Sequence, residues 1–364
     1  MSKYAYLLIT VTLMLFLMGS LMVYNTTSAE IIDKALDIEL NAAFIRQLVY
    51  AFVGIGLAVG ITYVGIEKLE ELSPMILFIL CLLLIGVFIP GFGMQLNGAR
   101  RWIKVIGISL QPSEFVKIVL PMALCRHQRL YPVDSFRSFI KLLSLAIPPL
   151  FLILIEPDNG TFAILMVICL ILFFLFRINK KYWMLPCFFV ILTAGGLASR
   201  MPHVSHRLQI YLHPEKDILG KGHQPYQAKI AVGSGGFLGR GMGESLQKLT
   251  YLPEARSDYI AAIFAEEFGF LGIVVLISLY LFFAVLGVAI ALESKNLFSF
   301  YLCISLVVLI SFQVFLNLGV VSGLLPSKGT NLPFFSQGGS SLVANFMAVG
   351  ILVAIAKNNA LKKA

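Results

Sequence analysis

The chain has 364 residues, of which 59% are hydrophobic and 13% charged, with a formal net charge of +9 and a mean hydropathy of +0.89. So little polar surface cannot cover a water-soluble globule of this size, which excludes a soluble enzyme and points to a protein embedded in a membrane. The positive charge does not argue for nucleic acid as a partner, because Lys and Arg cluster in the connections between apolar runs, where membrane topology and anionic lipid headgroups account for them.

Apolar runs lie at about 4–24, 44–66, 74–92, 112–126, 142–156, 160–176, 183–199, 258–290, 299–320 and 339–356. About 20 apolar residues cross a hydrocarbon core about 30 Å thick as a helix, the form that satisfies every backbone amide internally. The expected fold is therefore all-α, a polytopic transmembrane bundle of ten spans in a single domain over residues 1–364. The first run follows a single lysine and lacks a small-residue cleavage site, so it reads as a retained signal-anchor. The fourth and fifth runs are short for full crossings; the eighth is long, so its first turns project from the bilayer or the helix tilts. All five cysteines (Cys81, Cys125, Cys169, Cys187 and Cys303) fall in or at the ends of apolar runs, and no disulfide framework is expected.

An even number of spans puts both termini on one side. Lys3, Arg126, Arg129, Arg137, Lys141, Arg177, Lys180, Lys181, Lys295, Lys357, Lys362 and Lys363 share that side, which the positive-inside rule makes cytoplasmic. On the opposite side, residues 200–257 form a loop between spans seven and eight far longer than a connector requires.

Polar groups in or beside spans are costly and therefore informative. In NGARRWIK (97–104), Arg100, Arg101 and Lys104 surround Trp102; basic residues around an interfacial aromatic are an ordinary membrane anchor, yet guanidinium groups also suit a lipid-linked phosphate at this depth. In LQPSEFVK (110–117), Pro112 suits a first helical turn, and Glu114 and Lys117 share a face at i, i+3, either as a structural pair or as the polar wall of a groove. In IEPDNGT (155–161), Pro157 and Gly160 break the run and leave Glu156 and Asp158 at the outer surface, where Asp158 can cap the sixth span.

The glycine-rich stretch AVGSGGFLGRGMG (231–243) fits neither a dinucleotide fingerprint nor a P-loop and reads first as a flexible loop, with phosphate cradling by backbone amides the alternative. His203, His206, His213 and His223 lie in the same loop; His203 and His206 could hold a metal, but nothing nearby completes a ligand set. Asp258 stands at the junction of this loop with the eighth span. On a helix it would share a face with Ala262, Ala265, Glu266 and Gly269, serving either as a cap or as a general base; desolvation would raise its pKa and Arg256 would lower it.

Together NGARRWI, QPSEFVK, EPDNGT, QAKIAVGSGGFLGRG, LPEARSDYIAAIFAEEFG and GLLPSKGTNLPFFSQGGSS, spread in order from residue 97 to 341, resemble the SEDS family (shape, elongation, division and sporulation; FtsW, RodA and SpoVE). The resemblance implies a ten-span peptidoglycan glycosyltransferase that polymerises lipid II at the outer face of the bacterial cytoplasmic (inner) membrane. It implies further that Asp258 is the catalytic residue, that Glu114 and Lys117 line a central cavity, and that Asp158 is the acid of a PDxGT motif. Ser340 and Ser341 close the motif that ends in GGSS and join Arg100, Arg101 and Lys104 as expected substrate contacts. Arg256 and Ser257 stand where the family usually has His and Thr, Tyr259 where it has Phe, and Gln337 where it has Tyr. LPSKG (325–329) is closer to the LPTKG of the FtsW branch than to the LPVxG usual in the RodA branch, which implies a septal role in cell division; a RodA-like elongation role and a lipid II transporter are the alternatives.

The implied chemistry is attack by the acceptor's GlcNAc 4-hydroxyl on C1 of the donor's terminal MurNAc, with Asp258 taking the proton and polyprenyl pyrophosphate leaving. A divalent cation could share in stabilising that leaving group, but no metal site is legible and the cofactor stays unknown. The implied partners are lipid II, a class B penicillin-binding protein acting as transpeptidase, other divisome or elongasome membrane proteins and membrane lipid. Glu266 lies about 12 Å along the helix from Asp258 at 1.5 Å per residue, too deep to share the proton, so Glu266 and Glu267 are assigned to buried pairing or capping.

Overall fold

The computed structural model describes residues 2–33, 42–96, 99–105, 108–186, 188, 211–212, 217, 220, 222–249, 252–327 and 329–361. Three helices open the chain: α1 (Lys3–Asp33), α2 (Ala42–Val64) and α3 (Ile66–Gly86). A small antiparallel sheet follows, made of β1 (Gly93–Leu96), β2 (Ala99–Val105) and β3 (Ile108–Leu110) in the order β1-β2-β3. Then come α4 (Pro112–Leu130), α5 (Phe136–Ile155), α6 (Asn159–Leu175), α7 (His223–Ser234), α8 (Ile260–Leu292), α9 (Leu297–Val321) and α10 (Gly339–Leu361).

The helical architecture expected from the sequence is present, and nine of the ten expected spans coincide with helices. Among the described residues, α1, α2, α3, α5, α8, α9 and α10 are long and apolar enough to cross a membrane, and α6 is a shorter apolar helix. The expected seventh span lies outside the described residues apart from 183–186 and 188, which are helical. The sheet is the departure from an all-α chain. Residues 93–110 are too polar to enter the hydrocarbon, and once outside it their amides pair between strands instead.

Local signals set the helix starts. Pro112 opens α4 at its first turn, where a missing N–H costs nothing. Ser135 and Ser138 form a capping box on α5, and Asn296 accepts from the Phe298 amide to start α9.

Burial sorts the helices into a centre and a rim. Every residue of α4 from Val116 to Cys125 is buried, so α4 is covered on all sides by its neighbours. It packs on α3, α5, α6, α9 and α10. Helices α2, α3, α5 and α8 keep broad exposed apolar faces, such as Phe52, Phe78, Phe151 and Leu281, suited to lipid tails. Cys81, Cys125, Cys169 and Cys303 are free thiols; Cys187, His203, His206 and His213 lie outside the described residues.

Helix α8 is broken. Gly269 has φ 63° and ψ −161°, a conformation only glycine adopts without strain, and this frees backbone groups on both sides of it. The glycine-rich stretch supplies their partners. The amides of Arg240 and Gly241 donate to the carbonyls of Glu266 and Glu267, and the carbonyls of Gly236 and Phe237 accept from Phe270 and Leu271. Sequence reading took 231–243 first as a flexible loop and otherwise as a phosphate cradle. Its first residues instead finish α7, and the rest packs against the break with the amides of Gly239, Arg240 and Gly241 committed to protein carbonyls.

The two carboxylates beside the break hold this loop down. Glu266 accepts from the amides of Leu246 and Gln247 and from the hydroxyls of Ser234 and Ser245, with Arg240 3.7 Å away. Both oxygens of Glu267 accept from Nδ2 of Asn25 on α1, at 2.8 and 2.7 Å, and Oε1 pairs with Lys248 at 3.0 Å. These are the buried pairings expected of Glu266 and Glu267, and they join the outer loop to α1 and α8.

Candidate active site

The N-terminal ends of α4, α6, α8 and α10 meet at one cavity of about 600 Å³, with Gln111 and Glu114, Asp158 and Thr161, Asp258, and Gly338 to Ser341 on its wall. Backbone amides give each helix start a partial positive charge, and these starts share the wall with the carboxylates of Glu114, Asp158, Glu254 and Asp258. The sheet contributes Arg101, Trp102 and Ser109, and the loop before α10 contributes Gly329, Thr330 and Asn331.

Of the residues expected at the site, Arg101, Glu114, Lys117, Asp158, Asp258, Ser340 and Ser341 line this cavity, whereas Arg100 and Lys104 are exposed and lie outside its wall. A bulge separates the two arginines. Met94 faces Trp102 and Gln95 faces Arg100 across the β1–β2 pair, so Arg101 is the extra residue with no partner on β1. Such a residue is re-aimed out of the strand's regular alternation. Arg101 uses this freedom to donate through Nε to the Glu156 carbonyl at 3.0 Å and through Nη2 to the Pro157 carbonyl at 2.6 Å, while Nη1 stands 3.9 Å from Asp158.

Asp158 does cap α6, accepting from the Thr161 amide at 3.2 Å. It also accepts from Gln111 Nε2 at 3.1 Å and Ser113 Oγ at 3.4 Å, which links the starts of α4 and α6. Neither acid of this turn lies at an open surface, contrary to the sequence reading: Asp158 is 5% exposed and Glu156 is 0% exposed. Arg101 and the turn fold over them. Both carboxyl oxygens of Glu156 lack a hydrogen-bond partner among the described residues. Burial first, then the neighbouring Asp158, pushes its pKa up to about 8 against the pull of Arg101.

Glu114 and Lys117 form an ion pair 2.7 Å long, with both side chains nearly buried and both on the cavity wall. The two readings of this pair, structural bond and polar wall, describe the same arrangement. Ser340 Oγ accepts from the Gln111 amide at 2.9 Å and donates to the Ser109 carbonyl at 3.2 Å, so it ties the start of α10 to the sheet.

Asp258 is not on the helix. It lies in the turn before α8, whose cap is Tyr259, and no side chain caps the helix start. The cap reading of Asp258 therefore fails, as does the shared face with Ala262 and Ala265. Its turn is stapled to the segment before α10: the Gln337 amide donates to the Arg256 carbonyl at 2.9 Å, Ser336 Oγ to the Ser257 carbonyl, and Tyr259 OH meets Ser327 Oγ at 2.8 Å. Two of the departures from the family pattern, Arg256 and Gln337, thus touch through main chain, and the contact does not depend on either side chain.

Gly329 lies against the carboxylate, where an added Cβ would stand 3.0 Å from Asp258 Oδ2. Burial pushes the Asp258 pKa from 3.8 up to about 7, with Glu254 as the second cause. Arg256 is exposed and outside the cavity wall, so desolvation decides the balance that the sequence left open. A carboxylate that titrates near neutrality on a cavity wall is suited to accept a proton.

Sequence reasoning missed Gln111, Gln224, Glu254 and Gln313 of this wall. Gln313 had a legible signal, since an amide in the middle of an apolar run is as unexpected as a charge. It is 3% exposed and its Nε2 has no partner among the described residues. Gln224 comes from α7 and reaches the cavity only through the folding of the outer loop.

The family model described as cell cycle protein, named for FtsW, RodA and SpoVE, matches residues 5–361. Stage V sporulation protein E of Bacillus subtilis is 35% identical over 354 residues, covering 96% of this chain and 96% of that protein. A protein named probable peptidoglycan glycosyltransferase FtsW from Trichlorobacter lovleyi is 35% identical over 370 residues, covering 98% of this chain and 93% of that one. A solved chain from a peptidoglycan synthase complex, described as coordinating polymerization and crosslinking, shares the fold at a TM-score of 0.81 and 24% identity over 97% of each chain. The motifs, the multi-pass helical architecture and a match that runs almost from end to end agree: this chain belongs to the FtsW/RodA/SpoVE family.

Proposed function

We propose that this protein is a peptidoglycan glycosyltransferase that polymerises lipid II, with Asp258 as general base. The observation that carries the proposal is the place of Asp258, a carboxyl group on the wall of a polar cavity where four helix N-termini meet, with burial pushing its pKa up to about 7. The acceptor's GlcNAc 4-hydroxyl gives its proton to Asp258 as its oxygen bonds to C1 of the donor MurNAc. The C1–O bond to pyrophosphate breaks, and the lipid-linked pyrophosphate carries away the electron pair. One displacement inverts C1 and gives a β-linked polymer. A positioned base contributes typically 10²- to 10⁴-fold to such a step.

Arg101, presented by its bulge, and the convergent helix starts stabilise the charge that grows on the pyrophosphate. Glu114, Lys117, Asp158, Ser340 and Ser341 hold the sugars and keep the helix ends in register; Arg100 and Lys104 on the rim meet lipid headgroups. Polyprenyl tails lie against the exposed apolar faces of the spans, which accounts for so greasy an enzyme of sugars. The cavity faces outward across the bacterial cytoplasmic membrane, with ten spans and both termini in the cytoplasm. The curated relatives bearing the FtsW name support a septal role beside a class B penicillin-binding protein.

Purified protein with labelled lipid II tests this. Wild type yields polymer and Asp258→Asn yields none. Equal polymer from both refutes the base, and movement of lipid II across vesicles without polymer assigns the chain to transport instead.

A further inference from the structure

Three of the bonds that hold the Asp258 turn grip its neighbours, Arg256, Ser257 and Tyr259. Among the described residues, one reaches Asp258 itself. From α9, Asn317 Nδ2 donates to the Asp258 carbonyl at 2.8 Å and to the Thr330 carbonyl at 2.7 Å. Asn317 is 1% exposed. An amide nitrogen has two hydrogens, and here one goes to each carbonyl, so its donor capacity is fully used. The second carbonyl belongs to the residue after Gly329, the glycine that lies against the Asp258 carboxylate. One side chain therefore sets both the backbone of the proposed base and the wall facing it.

We infer that Asn317 is a positioning residue for Asp258, fixing the carboxylate on the cavity by holding its main chain and the 329–331 segment at one spacing. The inference rests on the proposed role of Asp258 as base. Asn317 does not line the cavity; it acts through Asp258. It is also a polar residue inside an apolar helix, where burying an amide is costly; both its hydrogens are used, while Oδ1 has no partner among the described residues. Leucine has nearly the shape of asparagine but gives neither hydrogen bond, so Asn317→Leu frees both carbonyls while preserving the packing of α9.

A merely structural role makes a different prediction, and Tyr280 supplies the comparison. Its hydroxyl donates to the Pro333 carbonyl at 2.6 Å, a buried bond to the same segment that does not reach Asp258. Full-length Asn317→Leu, Tyr280→Phe and Asp258→Asn are purified, and the initial rate of lipid II polymerisation is measured against substrate concentration. Displacing a reacting group by about 1 Å costs on the order of 100-fold. Asn317→Leu should lose roughly 10- to 100-fold in kcat with KM unchanged, and Tyr280→Phe should keep the wild-type kcat.

Wild-type kcat in Asn317→Leu overturns the positioning role. So does a parallel loss in Tyr280→Phe, or a loss confined to KM. If Asn317→Leu does not purify folded, Asn317→Ser replaces it. Its shorter side chain has a single hydrogen and cannot bond both carbonyls, so a loss of kcat is expected and a full rate overturns the inference. Full activity of Asp258→Asn refutes the base assignment whatever Asn317 does, whereas an inactive Asp258→Asn beside a fully active Asn317→Leu refutes only the positioning.

Discussion

Glu254→Gln tests how the cavity tunes its carboxylate. Two causes raise the Asp258 pKa from 3.8 to about 7, burial first and Glu254 second. Glu254 is the smaller of the two causes, so removing the charge at 254 lowers the pKa but leaves burial holding it above the ordinary value of 3.8. Glutamine keeps the shape and can still accept the bond from Ser257 Oγ, 2.8 Å from Glu254 in the native chain. A general base works deprotonated, so the rate rises with pH through its pKa, and the acid limb of kcat/KM reports that value in the free enzyme.

The wild-type limb should have its midpoint near pH 7 and the variant's should lie below it, above the ordinary aspartate value of 3.8. At pH 6 a base with pKa 7 is about one-tenth deprotonated, so the variant should polymerise faster there, by at most about ten-fold, with the two rates converging above about pH 8.5. The assay is the initial rate of lipid II polymerisation from pH 5 to 9. An unmoved midpoint would show that Glu254 does not act on the titrating group. A fall to the ordinary aspartate range would show that burial does not dominate, and either result refutes the reasoning.

Glu156 is held above its ordinary value of 4.5, at about 8, so its contribution to stability is fully present below about pH 4.5 and is lost as pH rises through 8. Glu156→Gln mimics the neutral form; its thermal midpoint in detergent should fall less than that of wild type between pH 5 and 9, and an identical fall would remove Glu156 as a cause. Lys248→Met leaves Glu267 buried beside Asn25 with its cation gone, a change that costs about 3 kcal/mol or more; a denaturation midpoint equal to wild type would contradict it. At Gly269 an added Cβ would run into the Gly239 amide nitrogen at a positive φ, so Gly269→Ala should detach the 236–241 loop and expose it to protease, and unchanged cleavage would show that the break does not depend on this pairing.

Much of the site was legible because charge is rare in this chain. Only 13% of residues are charged, so Glu114, Lys117, Asp158 and Asp258 stand out where apolar runs begin, and the cost of placing charge in hydrocarbon makes each informative. Helix starts were legible for a similar reason: Pro112 and Asp158 are local signals, read within one turn of the chain. Uncharged amides were harder to weigh, and Gln313 and Asn317 were passed over inside a run that otherwise reads as lipid-facing. Arg100 and Arg101 were inseparable in sequence because they are neighbours. A single unpaired residue in the β1–β2 register sends only the second to the cavity.

Hydropathy and its period settled that this is a membrane helix bundle, since each apolar run carries the free energy of its own burial and needs no distant partner to declare it. The tertiary structure alone decided which polar groups meet. Asp258 sits in a turn held by segments 59 to 81 residues away in sequence, and Gln224 reaches the same cavity only because the outer loop folds against a broken helix. Such contacts depend on the closing of long loops and on the desolvation that closure brings. No local stretch of sequence contains either, and so the pKa of Asp258 became readable only when the surrounding segments had folded around it.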